Sequence, residues 1–329
     1  MDFNVEDLYV DLRPSVGRRL FLKCEGFNFA GSIKLKAATE MVEAKERGGE
    51  LVPGATLIES SSGNMGVALS VVAASRGYRF VCVTDVRCTP AARRLMEALG
   101  SEVHIITEPD PDNGFLGARL AYVRRVCAAN PDYLWLNQYA NEGNWMGHYR
   151  TTGAEIAKAF PTLDVLFVGA GTTGTLMGCA HYFRENQPSV TIVAVDAVGS
   201  VTFGTPSDRR LIPGLGTSVR PGILDMSYVD DIVHVSEAET VRMCRRLVSR
   251  GFLFGGSTGT VVSGALAWMT ANGMGDDVTA VAIAPDLGTN YLETIYNDEW
   301  LARSYDPPPL SDQPMWTDRS RADRPRATR

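Results

Sequence analysis

Short apolar runs that each end on a glycine- or serine-rich loop, followed by a helical stretch, recur along most of this chain. Leu20–Cys24, Leu57–Glu59, Arg79–Thr84, Val103–Ile106 and Tyr133–Leu136 read as strands in the first half. Val165–Val168, Thr191–Val195 and Val278–Ala284 repeat the pattern in the second. Between them, Lys36–Glu46, Met65–Ser75, Thr89–Leu99 and Phe115–Ala129 carry good helix formers. Thr89 followed by Pro90 is a helix start signal, and Gly100 a stop. Strands that alternate with helices predict mostly parallel sheets covered on both faces, and two such blocks predict two α/β domains with a cleft between them.

The hinge is expected near residues 142–150. The first strand is expected to join the sheet of the second block, which gives one domain from 1–37 with 145–303 and a smaller one over 38–144. Residues 304–329 are polar, Pro- and Arg-rich and without period, which predicts a disordered tail.

Four loops concentrate the chemistry. In Gly31-Ser-Ile-Lys34, Ser32 is expected to cap the helix that follows, which puts Lys34 in the first turn. The dipole there disfavours an ammonium and lowers its pKa, as a Schiff-base lysine requires. Ser60-Ser-Ser-Gly-Asn64 offers hydroxyls and amides at a helix start, an anion site. Gly169-Ala-Gly-Thr-Thr-Gly174 follows a strand and opens a helix, the setting of a phosphate cradle. Gly255-Gly-Ser-Thr-Gly259 opens another helix. Taken singly, each loop is also an ordinary cap and Lys34 an ordinary solvated lysine. The glycine loop with Asp196 at the end of the next strand also reads as a nicotinamide-dinucleotide fingerprint, so a dehydrogenase is an alternative.

Other classes find no support. The net charge of −6 gives no case for nucleic acid. Six scattered cysteines form no C-x-x-C pair and four histidines are dispersed, so no metal site is expected. The apolar runs are strand-length, and the N-terminus is acidic where a signal peptide is basic, so no membrane span is expected and the chain is assigned to the cytoplasm.

Gly31-Ser-Ile-Lys34, Glu59-Ser-Ser-Ser-Gly-Asn-Met-Gly66, Gly169 to Thr175 and Gly256-Ser-Thr-Gly259 occur in that order. Together they resemble the fold-type-II pyridoxal-phosphate enzymes of the cysteine synthase and cystathionine β-synthase family, over residues from about 8 to 301. The resemblance implies two three-layer αβα domains of the tryptophan synthase β type, a pyridoxal 5′-phosphate cofactor and a homodimer. It implies Lys34 as the Schiff-base lysine and Asn64 at the cofactor's 3′-oxygen. Gly171, Thr172, Thr173, Gly174 and Thr175 would hold its phosphate, and Ser257 would meet the pyridine nitrogen. Ser61, Ser62, Gly63 and Met65, with Gln138, would receive the amino-acid substrate. Leu35-Lys36, Met65 and Thr173 depart from the commoner family pattern, where Asp-Arg, a threonine and a glycine stand.

Asn137-Gln-Tyr-Ala-Asn-Glu-Gly-Asn-Trp145, Val195 to Gly204 and Tyr291 to Leu301 resemble one branch, the N-(2-amino-2-carboxyethyl)-L-glutamate synthases. That branch joins O-phosphoserine to glutamate on the way to L-2,3-diaminopropionate, a precursor of siderophores and peptide antibiotics. It implies Arg119 as partner of the substrate phosphate, against the plainer reading of a surface arginine on an amphipathic helix. Cysteine synthase is the alternative within the family.

Overall fold

The computed structural model describes residues 8–309 except 53, 62, 112 and 307. Most of the expected tail lies outside the described residues, but its start is ordered: Ser304 ends the helix Asp298–Ser304 and Tyr305 OH donates to Glu237 Oε2 at 2.8 Å. Among those described, ten strands make two sheets. They are β1 (Tyr9–Asp11), β2 (Leu20–Cys24), β3 (Thr56–Ser60), β4 (Arg79–Asp85), β5 (Glu102–Ile106), β6 (Tyr133–Trp135), β7 (Val165–Gly169), β8 (Thr191–Ala197), β9 (Asp231–Val235) and β10 (Ala280–Ala284). The larger sheet runs β1-β2-β10-β7-β8-β9 and the smaller β5-β4-β3-β6. Every pairing is parallel except that of β1 with β2.

Strand alternation divides the large sheet's core in two. Leu20, Leu22, Phe167, Val193, Val195 and Ala282 face one cluster, and Leu166, Val168, Ile192, Ala194, Val281 and Ile283 the other. Strands buried on both faces are nearly all apolar, which is why β10 and β7 were conspicuous in the sequence. The smaller sheet repeats this, with Leu57 and Phe80 on one face and Ile58, Val81 and Val83 on the other.

Pairing decides what meets at the carboxyl ends. Cys24 on β2 lies level with Ala284 on β10. The two strands therefore release their chains side by side, and Ile33 N–H donates to Pro285 O at 2.7 Å while Leu287 N–H donates to Gly31 O. β7 borders β10, so its loop joins the same edge. Open parallel sheets bind ligands outside these ends.

Three helices converge behind that edge: Lys34–Arg47, Gly143–His148 and Gly174–Asn186. Glycines permit the approach. A Cβ at Gly147 would stand 2.9 Å from Lys36 O, and one at Gly178 would stand 2.3 Å from Trp145 O. Gly143–His148 runs on through a π turn, Tyr149–Gly153, into Ala154–Ala159.

Three local expectations need correction. The helix Lys34–Arg47 has Lys34 in its first turn as expected, but Ser32 does not cap it: Ile33 holds the cap position and the buried Ser32 hydroxyl has no hydrogen-bond partner. Strand β9 and the helix Glu237–Val248 were not anticipated. The helix had a legible signal, because Ser236 and Glu239 form a reciprocal capping box. No helix among the described residues is long and apolar enough to cross a membrane.

Candidate active site

The carboxyl ends of both sheets open onto one cavity, and Lys34 stands in its wall. As the first residue of its helix, Lys34 sits where four N–H groups have no intrahelical acceptor. Its surroundings are dense enough that burial lowers its pKa to about 8, although the nearby Asp286 carboxylate opposes the shift. Its Nζ donates to Thr172 Oγ1 at 3.4 Å. Lys36 turns away from the cavity into an ion cluster, with Nζ 2.9 Å from Glu25 and 2.5 Å from Glu155.

The loop after β7 brings Gly171, Thr172, Thr173, Gly174 and Thr175 to the cavity. Thr173 is held at φ +66°, the left-handed region costly for a β-branched residue, which explains why a glycine is the commoner choice there. Its buried hydroxyl has no hydrogen-bond partner. A Cβ at Gly171 would lie 2.9 Å from Gly214 O, so this backbone admits no side chain. Free first-turn N–H groups, threonine hydroxyls that can turn their hydrogens outward and a lysine make a donor-rich cradle, which fits a phosphate dianion.

Asn64 begins the helix Asn64–Arg76 and donates from Nδ2 to Asp286 Oδ2 at 2.8 Å. Tyr291 OH donates to the same oxygen at 2.6 Å. Burial pushes Asp286 up to about 6 against these bonds. Its Oδ1 has no hydrogen-bond partner, and a Cβ at Gly255 would stand 2.2 Å from it. Asp286 was missed as a site residue. Its signal was a carboxylate two residues after an all-apolar strand, where burial needs a reason. Ser257, buried at the start of the helix Gly256–Ala271, lines the cavity with its Oγ facing Gly214.

On the smaller sheet's side, Ser61, Gly63, Asn64 and Met65 line the cavity, as does Gln138. Ser62 lies outside the described residues. Ser61 Oγ accepts from Gly63 N–H at 3.2 Å and from Gly66 N–H at 2.8 Å, so it staples its own loop. Gln138 N–H donates to Glu59 Oε2 at 3.0 Å and its Nε2 to Ser60 O at 2.8 Å. Glu59 also accepts from Ser60 N–H and Trp135 Nε1, yet burial raises its pKa to about 7.

Glu59 yields a prediction. Its folded pKa lies above the 4.5 of the free group, so the folded chain keeps a proton that the unfolded chain releases. That contribution is complete below 4.5 and is lost as pH rises through about 7. Glu59→Gln should flatten the decline of urea midpoints between pH ~5 and ~7.5, and parallel profiles for the two proteins would refute this.

Arg119 is 5% exposed, on the cavity side of the helix Gly114–Ala129 rather than on its solvent face. Its Nε stands 3.4 Å from Asp85 Oδ2. Asp85 already accepts from Arg87 Nε at 2.9 Å and Nη2 at 3.1 Å. Arg119 Nε and Nη1 make no hydrogen bond. A buried guanidinium with open donors is costly unless an anion meets it.

Asp196, the carboxylate of the dehydrogenase alternative, is fully buried, accepts from Ala197 N–H and is not in the cavity wall. It presents nothing to a ribose.

Residues 9–286 match the family described as pyridoxal-phosphate dependent enzyme. An N-(2-amino-2-carboxyethyl)-L-glutamate synthase of Ralstonia nicotianae is 39% identical over 286 residues, 86% of this chain and 84% of its own. Another of that name from Cupriavidus metallidurans is 38% identical over 89% of this chain and 88% of its own. Among solved structures, an O-ureido-L-serine synthase superposes with TM-score 0.77 at 33% identity, covering 86% of this chain and 91% of that one. A hydrogen sulfide-producing enzyme from Fusobacterium nucleatum gives 0.80 at 29% identity, covering 88% and 97%. By family match, by relatives and by fold, the chain belongs to the fold-type-II pyridoxal-phosphate-dependent enzymes, as a β-replacement transferase of the cysteine synthase family.

Proposed function

We propose that this enzyme replaces the phosphate of O-phospho-L-serine with the amino group of L-glutamate, giving N-(2-amino-2-carboxyethyl)-L-glutamate and phosphate for L-2,3-diaminopropionate synthesis. The observation that carries the reading is Arg119, a buried guanidinium in the cavity wall that faces Asp85 through Nε at 3.4 Å and whose Nε and Nη1 make no hydrogen bond. A phosphorylated substrate brings about two negative charges to a cavity that also holds the cofactor phosphate, and a planar guanidinium fork suits them. The names of the two curated relatives support the same substrates.

Lys34, Asn64, Gly171 to Thr175 and Ser257 would hold pyridoxal phosphate. When bound, the cofactor supplies an electron sink that acidifies the Cα–H of the amino-acid substrate. Lys34 would take that Cα proton, for which a pKa lowered to about 8 suits it. Ser61, Ser62, Gly63 and Gln138 would orient the substrate carboxylate, with Met65 beside them in the substrate loop. Arg119 would balance the phosphate as it leaves Cβ, and the glutamate amine would attack that carbon. Lys34 would then return its proton to Cα. The two sheets would be cores of two domains divided near 37/38 and 144/145, working as a homodimer in the cytoplasm.

Ser257→Asp tests the pyridine-nitrogen role. A carboxylate there favours a protonated ring, so the visible absorption of bound cofactor should move and turnover should fall roughly ten-fold or more. An unchanged spectrum and rate would place Ser257 outside the cofactor site.

The function is tested by phosphate release. Holoenzyme given O-phosphoserine should release phosphate in proportion to added glutamate, with a product mass equal to the joined amino acids less phosphoric acid. No release with glutamate, and brisk release with sulfide, would make the enzyme a cysteine synthase.

A further inference from the structure

We propose that His148 is a positioning residue that fixes the hydroxyl of Thr175 as a donor toward the cofactor phosphate. The proposal rests on assigning the loop Gly171–Thr175 to that phosphate. His148 closes the helix Gly143–His148, is 1% exposed and is not in the cavity wall. Its Nε2 stands 3.2 Å from Thr175 Oγ1 and its Nδ1 stands 3.1 Å from Thr152 Oγ1. Behind Thr152, at 3.5 Å, is Lys36 Nζ.

Donor and acceptor rules orient this row. The Lys36 ammonium can only donate. Glu25 and Glu155 hold it in place, and both also pair with the buried Lys23. Thr152 Oγ1 therefore accepts from Lys36, and its own hydrogen is free for His148 Nδ1. Burial, with Lys36 and Lys34 nearby, keeps the imidazole neutral, so it has one donor and one acceptor. With Nδ1 accepting, Nε2 carries the hydrogen and donates to Thr175 Oγ1. The Thr175 hydrogen must then point away from His148, toward the cradle.

Thr172 receives the same treatment from different partners. Its Oγ1 accepts from Asn144 Nδ2 at 3.0 Å and from Lys34 Nζ, so its hydrogen is also released outward. Both hydroxyls are thus set as donors before an anion arrives. Preorganisation of this kind lowers the cost of binding. It also gives the Lys23–Glu25–Lys36–Glu155 cluster a purpose beyond packing, because that cluster sets the polarity of the row.

The test combines tautomer and affinity. In holoenzyme labelled with ¹⁵N-histidine, the His148 signals, identified by their loss in His148→Gln, should show a neutral ring protonated at Nε2. Thr175→Val and His148→Phe should each weaken pyridoxal phosphate binding roughly ten-fold. The double variant should be no weaker than Thr175→Val alone. His148→Gln, whose amide can accept from one side and donate to the other, should recover most of the affinity. An Nδ1-protonated ring, or losses that multiply in the double variant, would overturn the proposal. If Thr175→Val leaves affinity unchanged, the phosphate-loop assignment fails and takes the proposal with it. The tautomer is read on the unaltered chain and its signals can be assigned from either His148→Gln or His148→Phe, so one variant that does not fold leaves that test intact.

Discussion

Lys34→Ala is expected to cut turnover by at least ~10³-fold, because on the proposed assignment it would remove both the covalent anchor of the cofactor and the base at Cα. The donors of the loop after β7 remain, so the variant should still retain cofactor non-covalently. Lys36→Ala makes the contrast. Lys36 lies in the Glu25–Glu155 cluster and not in the cavity wall, so its loss should weaken cofactor retention while leaving attachment to Lys34 in place. Borohydride reduction followed by peptide mapping reads this directly. Cofactor fixed to Lys34 in wild type and in Lys36→Ala, but absent from Lys34→Ala, is the expected pattern. Attachment that survives Lys34→Ala and disappears in Lys36→Ala would put the wrong lysine in the site.

Arg119→Ala is expected to cost about 2–4 kcal/mol in kcat/KM for O-phosphoserine, the size of a lost hydrogen-bonded charge pair. O-acetylserine carries no such charge and should lose much less. Part of any common loss would come from Asp85, which keeps Arg87 as a partner but loses a buried neighbour. Arg119→Lys separates charge from geometry, since an ammonium restores the charge but not the planar fork. Equal losses on both substrates would reduce Arg119 to a structural arginine and remove the main support for a phosphorylated substrate.

The sheets were legible because burial on both faces leaves a strand almost no polar residues. Val165–Val168 and Val278–Ala284 stand out for that reason. Strands β1 and β9 lie at the edges of the large sheet, where only partial burial is needed, and their mixed sequences give a weaker signal. The four loops were visible as glycine, serine and threonine at strand–helix junctions, since helix starts leave N–H groups open.

Side-chain direction was less accessible. Ser32 has the composition of a cap, yet the chain pairs with the segment after β10 and turns its hydroxyl inward. Ser61 faces its own loop's amides, a competition that spacing does not reveal. Asp286, which follows β10 of the larger sheet, reaches Asn64, which follows β3 of the smaller one, across 222 positions, a contact that no local pattern announces. Arg119 shares its helix with Arg124 and Arg125, and three arginines within seven residues do not say which one turns inward. Helix packing against β3 and β4 makes that choice.

The central claim is the pair of substrates, and competition between nucleophiles measures it most directly. Wild-type holoenzyme is supplied with O-phosphoserine and equimolar ¹⁵N-glutamate and sulfide in one vessel, and products are counted by mass at early times. The account predicts that the glutamate adduct, carrying one ¹⁵N, predominates over cysteine. Cysteine in excess, with the adduct at trace level, would contradict it.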